Sequence, residues 1–238
     1  MTANFYSARW FEYFHADIPA ERTDKEVEFV CSQAPLPAFR RAADICCGMG
    51  RHSRKLAALG YEVTGIERDA IAVDIARGLG GGPTYVHADI LRHWFDERSF
   101  DLAVVMSQSF GYYSEDTNRE LLARLALAVR ERGVVILDLW NPDFFVAHQG
   151  TRVFNLQHGR VIETKSVVAG RLSVHLAYPD GGVDDFKWQL FTIAQIDSLT
   201  DVAALRLCAA CASYDAGLSP TPDDPGLDKS SSRKRDQL

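Results

Sequence analysis

The sequence has 238 residues, of which 47% are hydrophobic and 24% charged, a composition that excludes a disordered or fibrous protein. This length favours one domain with a well-filled core. The net charge of −6 argues against nucleic acid as a partner, because such a partner requires many basic contacts. It favours a small-molecule ligand.

No apolar run reaches the roughly 18 residues that a membrane span needs. Acidic residues interrupt the N-terminal segment, where a secretion signal would have an apolar core. We therefore expect a cytoplasmic protein without a membrane partner. The five cysteines lack the paired spacing of a zinc site, so we expect free thiols and no bound metal.

In chain order, the first predicted element is a helix over Thr23–Ala34. Thr23 and Glu26 have the spacing of a capping box, in which two side chains satisfy amides at a helix start. Short apolar runs typical of buried strands then alternate with longer amphipathic runs typical of helices. The predicted strands are Ala42–Cys47, Tyr61–Ile66, Thr84–Ala88, Asp101–Met106 and Val134–Trp140, and the predicted helices are Arg51–Leu59, Ala70–Gly78 and Asn118–Arg132.

This alternation predicts an α/β fold with a doubly wound, mostly parallel Rossmann-like sheet. Ligands of such a sheet bind at the carboxyl ends of its strands. Between about residues 151 and 191 polar and apolar residues alternate, which predicts an antiparallel insert of three strands after the fifth strand. Thr192 and Gln195 then begin a helix, and Ala204–Ser213 is a further strand candidate.

Residues 218–238 are nearly without apolar side chains. We therefore expect a disordered tail there, with the folded domain confined to residues 1–217 and the last strand of the sheet missing.

The most informative motif, Gly48-Met49-Gly50, follows the first predicted strand. Glycines at a strand end let the backbone approach a nucleotide-like ligand closely. Glu67 ends the second strand, where an acid accepts hydrogen bonds from ribose hydroxyls. Asp89 ends the third strand beside Ile90, where an adenine edge fits. Either acid alone is equally well explained as a cap or a solvated loop residue, but together the three strand ends indicate one adenosine site.

These residues resemble the motifs of class I S-adenosylmethionine-dependent methyltransferases, in particular the bacterial small-molecule group. The similarity rests on four motifs in order, and it extends over about residues 6–213. The motifs are Asp44-Ile45-Cys46-Cys47-Gly48-Met49-Gly50-Arg51-His52, Gly60–Glu67, Phe100-Asp101-Leu102 and Ser109-Phe110-Gly111-Tyr112-Tyr113. Cys46 departs from the glycine that the family usually has at that position.

The resemblance implies S-adenosyl-L-methionine as cofactor and S-adenosyl-L-homocysteine as product. It implies a cofactor site formed by Tyr13, Asp44, Cys46, Gly48, Gly50, Arg51, Glu67, Arg68, Asp89, Ile90, Met106 and Ser107. Arg51 would pair with the cofactor carboxylate, although a solvated position in the first helical turn explains it equally well. The aromatic segment Asn4–His15 belongs to a predicted N-terminal lid of about residues 1–34.

Methyl transfer by in-line displacement depends mainly on positioning and on the exclusion of water. For the walls of the acceptor site we predict Tyr112, after the fourth strand, and Trp140, at the end of the fifth. These are the two candidate catalytic residues. The predicted acceptor is a small molecule, and amine, hydroxyl and carbon acceptors stay open.

Two other functions compete with this interpretation. A nicotinamide-dependent oxidoreductase would have a Gly-x-Gly-x-x-Gly fingerprint, which the sequence lacks around Gly48. A non-catalytic S-adenosylmethionine-binding or scaffold protein of the same fold is the alternative that Cys46 and a missing last strand would permit.

Overall fold

A computed structural model of the chain describes residues 4, 6–15, 18–93, 95–156 and 158–234. The described helices are α1 (Ala8–Trp10), α2 (Ala20–Gln33), α3 (Arg51–Ala58), α4 (Ala70–Leu79), α5 (Glu115–Ala128), α6 (Pro142–Ala147) and α7 (Ile193–Val202), with a π-helical turn at Phe11–His15. The described strands are β1 (Arg41–Ile45), β2 (Glu62–Glu67), β3 (Thr84–His87), β4 (Phe100–Val105), β5 (Val129–Trp140), β6 (Gly150–Leu156), β7 (Gly159–Val168), β8 (Arg171–Ala177), β9 (Val183–Gln189), β10 (Leu205–Leu207) and β11 (Gly226–Lys234).

Seven strands form one sheet in the order β10-β11-β5-β4-β1-β2-β3. The five strands from β3 to β5 are parallel. The chain moves outward from β1 to β3 and then crosses back to β4, so the loops after β1 and β4 diverge. Such a reversal opens a crevice at the carboxyl ends of the strands, where ligands bind. This topology confirms the predicted doubly wound α/β fold.

Strand β11 corrects the expectation that the last strand of the sheet is missing. It pairs antiparallel with β5, with Gly226 opposite Trp140 and Arg233 opposite Val134, and β10 pairs antiparallel with β11. Leu227 is the one apolar residue in Gly226–Lys234, so hydrophobic periodicity gives no strand signal. Pairing instead follows from the backbone groups along the edge of β5, which require partners. Residues 235–238, the end of the predicted tail, lie outside the described residues.

The insert has four antiparallel strands in the order β6-β7-β8-β9, one more than predicted. The additional strand, β6, is an edge strand with mostly exposed side chains, so its sequence lacks a clear buried face. On the inner face, Val161, Leu172 and Phe186 belong to the same buried core as Leu122 of α5. One continuous core therefore joins the insert to the parallel sheet.

Helix α2 begins earlier than predicted. It begins at Ala20 after Pro19, which provides no side-chain cap. Thr23 and Glu26 are therefore inside the helix instead of forming a capping box, and both are buried. Their polar groups are used at the candidate site described below.

The starts of the other helices agree with the sequence patterns, with one difference. Thr192 and Gln195 form the predicted capping box of α7, and the Asn141 side chain caps α6. Helix α5 is capped by Ser114, so it begins at Glu115 instead of the predicted Asn118, and it ends at Ala128 instead of the predicted Arg132.

In the part of the chain that the structure describes, no helix combines the length and the hydrophobicity needed to cross a membrane. No group of three or more His, Cys, Asp or Glu side chains among these residues is placed to hold a metal ion. No disulfide bond joins the cysteines of the described residues.

Candidate active site

A cavity of about 400 Å³ lies at the carboxyl ends of the parallel strands. Its volume is in the range of small-molecule sites, about 300–1,000 Å³. The loops after the strands provide one side, through residues such as Cys46 and Met106. The segment before α2 provides the other side, through Tyr6 and Trp10.

The turn after β1 leaves backbone open to this cavity. Cys46 and Gly48 both have left-handed backbone conformations, with φ of 57° and 53°. A Cβ atom at Gly48 would meet nothing within 4 Å, so glycine leaves open space beside the main chain. At Cys46 a side chain occupies a conformation that costs about 1–2 kcal/mol for a residue other than glycine. Burial raises the pKa of the Cys46 thiol, which keeps it protonated.

Glu67 connects the ends of β1 and β2. One carboxylate oxygen, Oε2, accepts a hydrogen bond from the Gly48 amide at 3.0 Å. The other, Oε1, accepts from the amides of Arg68 and Asp69 at 2.8 and 2.9 Å. The carboxylate therefore orients the glycine turn and also lines the cavity.

Arg51 begins α3 and joins three parts of the fold. Its Nη1 donates to Thr23 Oγ1 at 2.8 Å and to Glu26, and its Nη2 donates to Ser107 Oγ at 2.8 Å. Burial disfavours the charged form of Glu26, but hydrogen bonds from His52 and Arg51 outweigh this and hold the pKa of the Glu26 carboxyl well below its usual range. Arg51 is thus an ion-paired residue whose side chain is 13% exposed, and it lines the cavity instead of extending into solvent.

The turn after β4 contains two consecutive residues in strained conformations. Ser107 and Gln108 have φ of 53° and 54°, which residues other than glycine adopt only where the surroundings hold them. Asp138, at the end of β5, provides this restraint, because its Oδ2 accepts from Ser107 N at 2.9 Å and from Gln108 Nε2 at 2.7 Å. The sequence reasoning missed Asp138, although an acid in an apolar strand is a detectable signal.

Aromatic side chains surround the rest of the cavity. Tyr6 and Trp10, with ring centroids 4.3 Å apart, face Tyr112 and Tyr113 from the loop after β4. The hydroxyls of Tyr6 and Tyr112 are hydrogen-bonded to each other. Burial raises the pKa of both hydroxyls above their ordinary value. They are therefore protonated at neutral pH, and the aromatic faces are suited to a cationic ligand.

The structure brings ten of the fourteen predicted site residues to the cavity. These are Asp44, Cys46, Gly48, Arg51, Glu67, Arg68, Ile90, Met106, Ser107 and Tyr112. The other four, Tyr13, Gly50, Asp89 and Trp140, are not among the lining residues.

Tyr13 and Trp140 face the insert instead. The Tyr13 hydroxyl donates to the carbonyl of His158 at 2.9 Å, and its ring lies 5.2 Å from that of Tyr178. Trp140 packs edge-on against Phe145 and Trp188 at centroid distances of 5.0 and 6.0 Å. The Tyr13 ring is therefore held by residues of the insert, and the Trp140 ring is held by the insert and by Phe145 of α6.

Gly50 and Asp89 have local structural roles. A side chain at Gly50 would collide with Tyr85, so this glycine permits close packing. The Asp89 carboxylate accepts from the amide of Leu91 at 2.9 Å, as in the capping alternative considered for the sequence. Its neighbours Ala88 and Ile90 are the residues that line the cavity.

Asn4 is a lining residue that the sequence reasoning did not single out. Its side chain accepts from the Lys187 amide at 2.8 Å and donates to the Lys187 carbonyl at 3.0 Å. These bonds attach the N-terminal segment to β9. The two residues are 183 positions apart, so no local pattern could have predicted the contact.

The chain is similar in sequence to known methyltransferases. A family described as a methyltransferase domain matches residues 42–133. The dTDP-3-amino-3,6-dideoxy-alpha-D-glucopyranose N,N-dimethyltransferase of Streptomyces fradiae is 28% identical over 188 residues, which are 72% of this chain and 72% of that protein.

Two solved structures have the same fold. An S-adenosylmethionine-dependent methyltransferase from Clostridium acetobutylicum has a TM-score of 0.78 at 16% identity, with 95% of this chain and 97% of that one covered. The sugar N-methyltransferase KedS8 from a Streptoalloteichus species has a TM-score of 0.70 at 16% identity, with 99% of this chain and 95% of that one covered.

Proposed function

We propose that the chain transfers a methyl group from S-adenosylmethionine to the amino group of a small, sugar-like molecule, because residues 42–133 match a methyltransferase domain. The observation that carries this proposal is the cavity at the strand ends, where the glycine turn and Glu67 on one side face a wall of aromatic rings on the other.

The residues present fit the cofactor. The open space beside Gly48 accommodates a ligand against the main chain, and Glu67 offers carboxylate oxygens to ribose hydroxyls. Arg51 offers a positive charge for a carboxylate, and the rings of Tyr6 and Trp10 offer apolar, electron-rich surface for a sulfonium. In this proposal the N-terminal segment acts as a lid that excludes water.

When bound, S-adenosylmethionine supplies a methyl group on a positively charged sulfur, which departs as a neutral thioether during in-line attack. The chain's own task is to orient the acceptor and keep water away. Tyr112 and Tyr6 form the polar part of the aromatic wall. As protonated phenols they act as hydrogen-bonding groups that orient the acceptor, and not as bases.

The engagement of the titratable side chains favours an amine. A neutral amine attacks through its own lone pair, whereas a hydroxyl acceptor requires a base. Among the described lining residues, every carboxylate and imidazole already has a hydrogen-bond partner within the protein. These residues are Asp44, His52, Glu67 and Asp69.

The similar proteins support the same acceptor class. The Streptomyces fradiae relative is named as a dimethyltransferase of a 3-amino sugar nucleotide, and KedS8 is described as a sugar N-methyltransferase. The two descriptions share methyl transfer to a nitrogen of a sugar, and for this chain we propose an amino sugar, free or attached to a nucleotide.

The test is to incubate the purified protein with S-adenosylmethionine and matched acceptors. The acceptors are dTDP-3-amino-3,6-dideoxyglucose, the corresponding 3-hydroxy sugar nucleotide and a free amino sugar. Mass spectrometry measures S-adenosylhomocysteine and the methylated acceptor. We expect turnover only with the amines. Turnover only with the hydroxyl compound would overturn the amine assignment, and cofactor binding without turnover on any acceptor would favour the non-catalytic alternative.

A further inference from the structure

Five residues beside the cavity form a closed hydrogen-bonded ring, which includes one backbone amide. Glu26 binds Arg51, Arg51 donates to Ser107, the Ser107 amide donates to Asp138, and Asp138 and Glu26 are both bonded to Tyr214. The ring joins α2, α3, the turn after β4, β5 and the segment after β10. Two of its members, Arg51 and Ser107, line the cavity.

Tyr214 closes this ring from outside the cavity. Its hydroxyl lies 2.9 Å from Asp138 Oδ2 and 3.2 Å from Glu26 Oε1. The Tyr214 hydroxyl lies between two carboxyl groups that are 1% and 0% exposed. A phenol has a single hydrogen, so the hydroxyl donates to one of them at a time or shares its hydrogen between both. The aromatic side chain of Tyr214 packs edge-on against that of Phe29, with centroids 6.1 Å apart.

The backbone at Tyr214 is itself held in an uncommon conformation. Ser213 and Tyr214 have φ of 54° and 55°. The turn is closed by a hydrogen bond from the Asp215 amide to the Ala212 carbonyl at 3.0 Å. Strained residues persist where the surroundings hold them, and such sites concentrate at functional positions.

Asp138 is the residue that restrains the turn after β4. Its Oδ2 receives three hydrogen bonds, from Ser107, Gln108 and Tyr214, while its Oδ1 has no partner among the described residues. Loss of the Tyr214 hydroxyl would leave Asp138 and Glu26 without the group between them. The strained Ser107–Gln108 turn would then be held less firmly.

We propose that Tyr214 is a positioning residue of the cofactor site, because its hydroxyl completes the ring that fixes Arg51 and the Ser107–Gln108 turn. Tyr214 does not line the cavity and lies outside the matched residues 42–133. This inference rests on the proposed function in one respect only, because the binding measurement uses S-adenosylhomocysteine as the ligand.

The test compares Tyr214→Phe with Tyr61→Phe. Tyr61 is a matched control, because it is a buried tyrosine whose hydroxyl donates to the Ala34 carbonyl at 2.7 Å and, among the described hydrogen bonds, to none of the five residues of the hydrogen-bonded ring. Both substitutions keep the aromatic ring and remove one hydroxyl. Calorimetry measures the affinity for S-adenosylhomocysteine, and hydrogen exchange by mass spectrometry measures the protection of residues 106–109 in the free protein.

We expect Tyr214→Phe to weaken binding about three- to tenfold, the effect of one lost hydrogen bond, and to speed exchange in residues 106–109. Tyr61→Phe should change neither measurement. The double variant Tyr214→Phe/Ser107→Ala should lose less affinity than the two single losses multiplied together, because both changes break the same hydrogen-bonded ring.

Unchanged binding and exchange in Tyr214→Phe would overturn the proposal, and so would equal effects in Tyr61→Phe. If the wild-type protein binds neither S-adenosylmethionine nor S-adenosylhomocysteine, the proposed function fails. The exchange measurement in the free protein still decides the role of Tyr214.

Discussion

Replacement of Glu67 by alanine is the sharpest test of the cofactor site. The change removes the carboxylate that accepts from the Gly48 amide at 3.0 Å and from the Arg68 and Asp69 amides at 2.8 and 2.9 Å. It also removes the oxygens expected to bind the ribose. Hydrogen bonds to a charged group contribute about 1.5–3 kcal/mol, so affinity should fall about tenfold to hundredfold.

The measurement is calorimetric titration with S-adenosylhomocysteine, and Glu62→Ala is the matched control. Glu62 begins the same strand at its opposite end and forms an exposed ion pair with Arg40, so its removal should leave affinity unchanged. Glu67→Gln, which keeps one acceptor oxygen, should give an intermediate loss. A folded Glu67→Ala protein that binds within a factor of about two of wild type would refute the assignment of Glu67 to the ligand.

Three further predictions concern stability and the turn. Hydrogen bonds from Arg41 and Arg130 outweigh the burial of Asp101 and lower its pKa to about 2. Because this pKa is depressed, Asp101→Asn should lower the free energy of unfolding by about 2 kcal/mol at pH 7. In urea unfolding, the difference from wild type should shrink as the pH falls from 4 towards 2. A difference that stays constant with pH would contradict this cause. Gly48→Ala should lower stability by about 1–2 kcal/mol and weaken S-adenosylhomocysteine binding, and unchanged calorimetry would argue against a close approach of ligand to this turn. The Leu122 side chain is 0% exposed, so Leu122→Ala should lower the free energy of unfolding by about 2–5 kcal/mol. Affinity below the unfolding temperature should not change. A loss below about 1 kcal/mol would mean that this part of the core is loosely packed.

The lining of the cavity at the strand ends could largely be predicted because its signals are local. Each strand of the parallel sheet is a short apolar run, and the residues that matter follow directly after it. Glu67 and Gly48 therefore meet as soon as β1 and β2 pair in parallel. The fold class follows from that pattern, whereas most of the predicted lining residues come from the resemblance to methyltransferase motifs.

Other parts of the structure depend on partners far away in the sequence. Thr23 and Glu26 fit a capping box, but Arg51, 25 positions after Glu26, makes that carboxylate the centre of a buried ion pair. Strand β11 pairs through its backbone, which hydrophobic periodicity does not report. Local spacing could not distinguish these outcomes.

The division between local and distant contacts also explains why reaction class is easier to predict than substrate. The glycine turn, Glu67 and Met106 fall within residues 42–133, which match the methyltransferase family. The opposite wall comes from Asn4, Tyr6 and Trp10, and Asn4 is held by the backbone of Lys187 in the insert. In the proposed function this wall faces the acceptor, and because it is attached to β9, a change in the insert should move it while the turns after β1 and β4 stay in place. Acceptor preference should therefore vary with the insert, and methyl-donor chemistry should not.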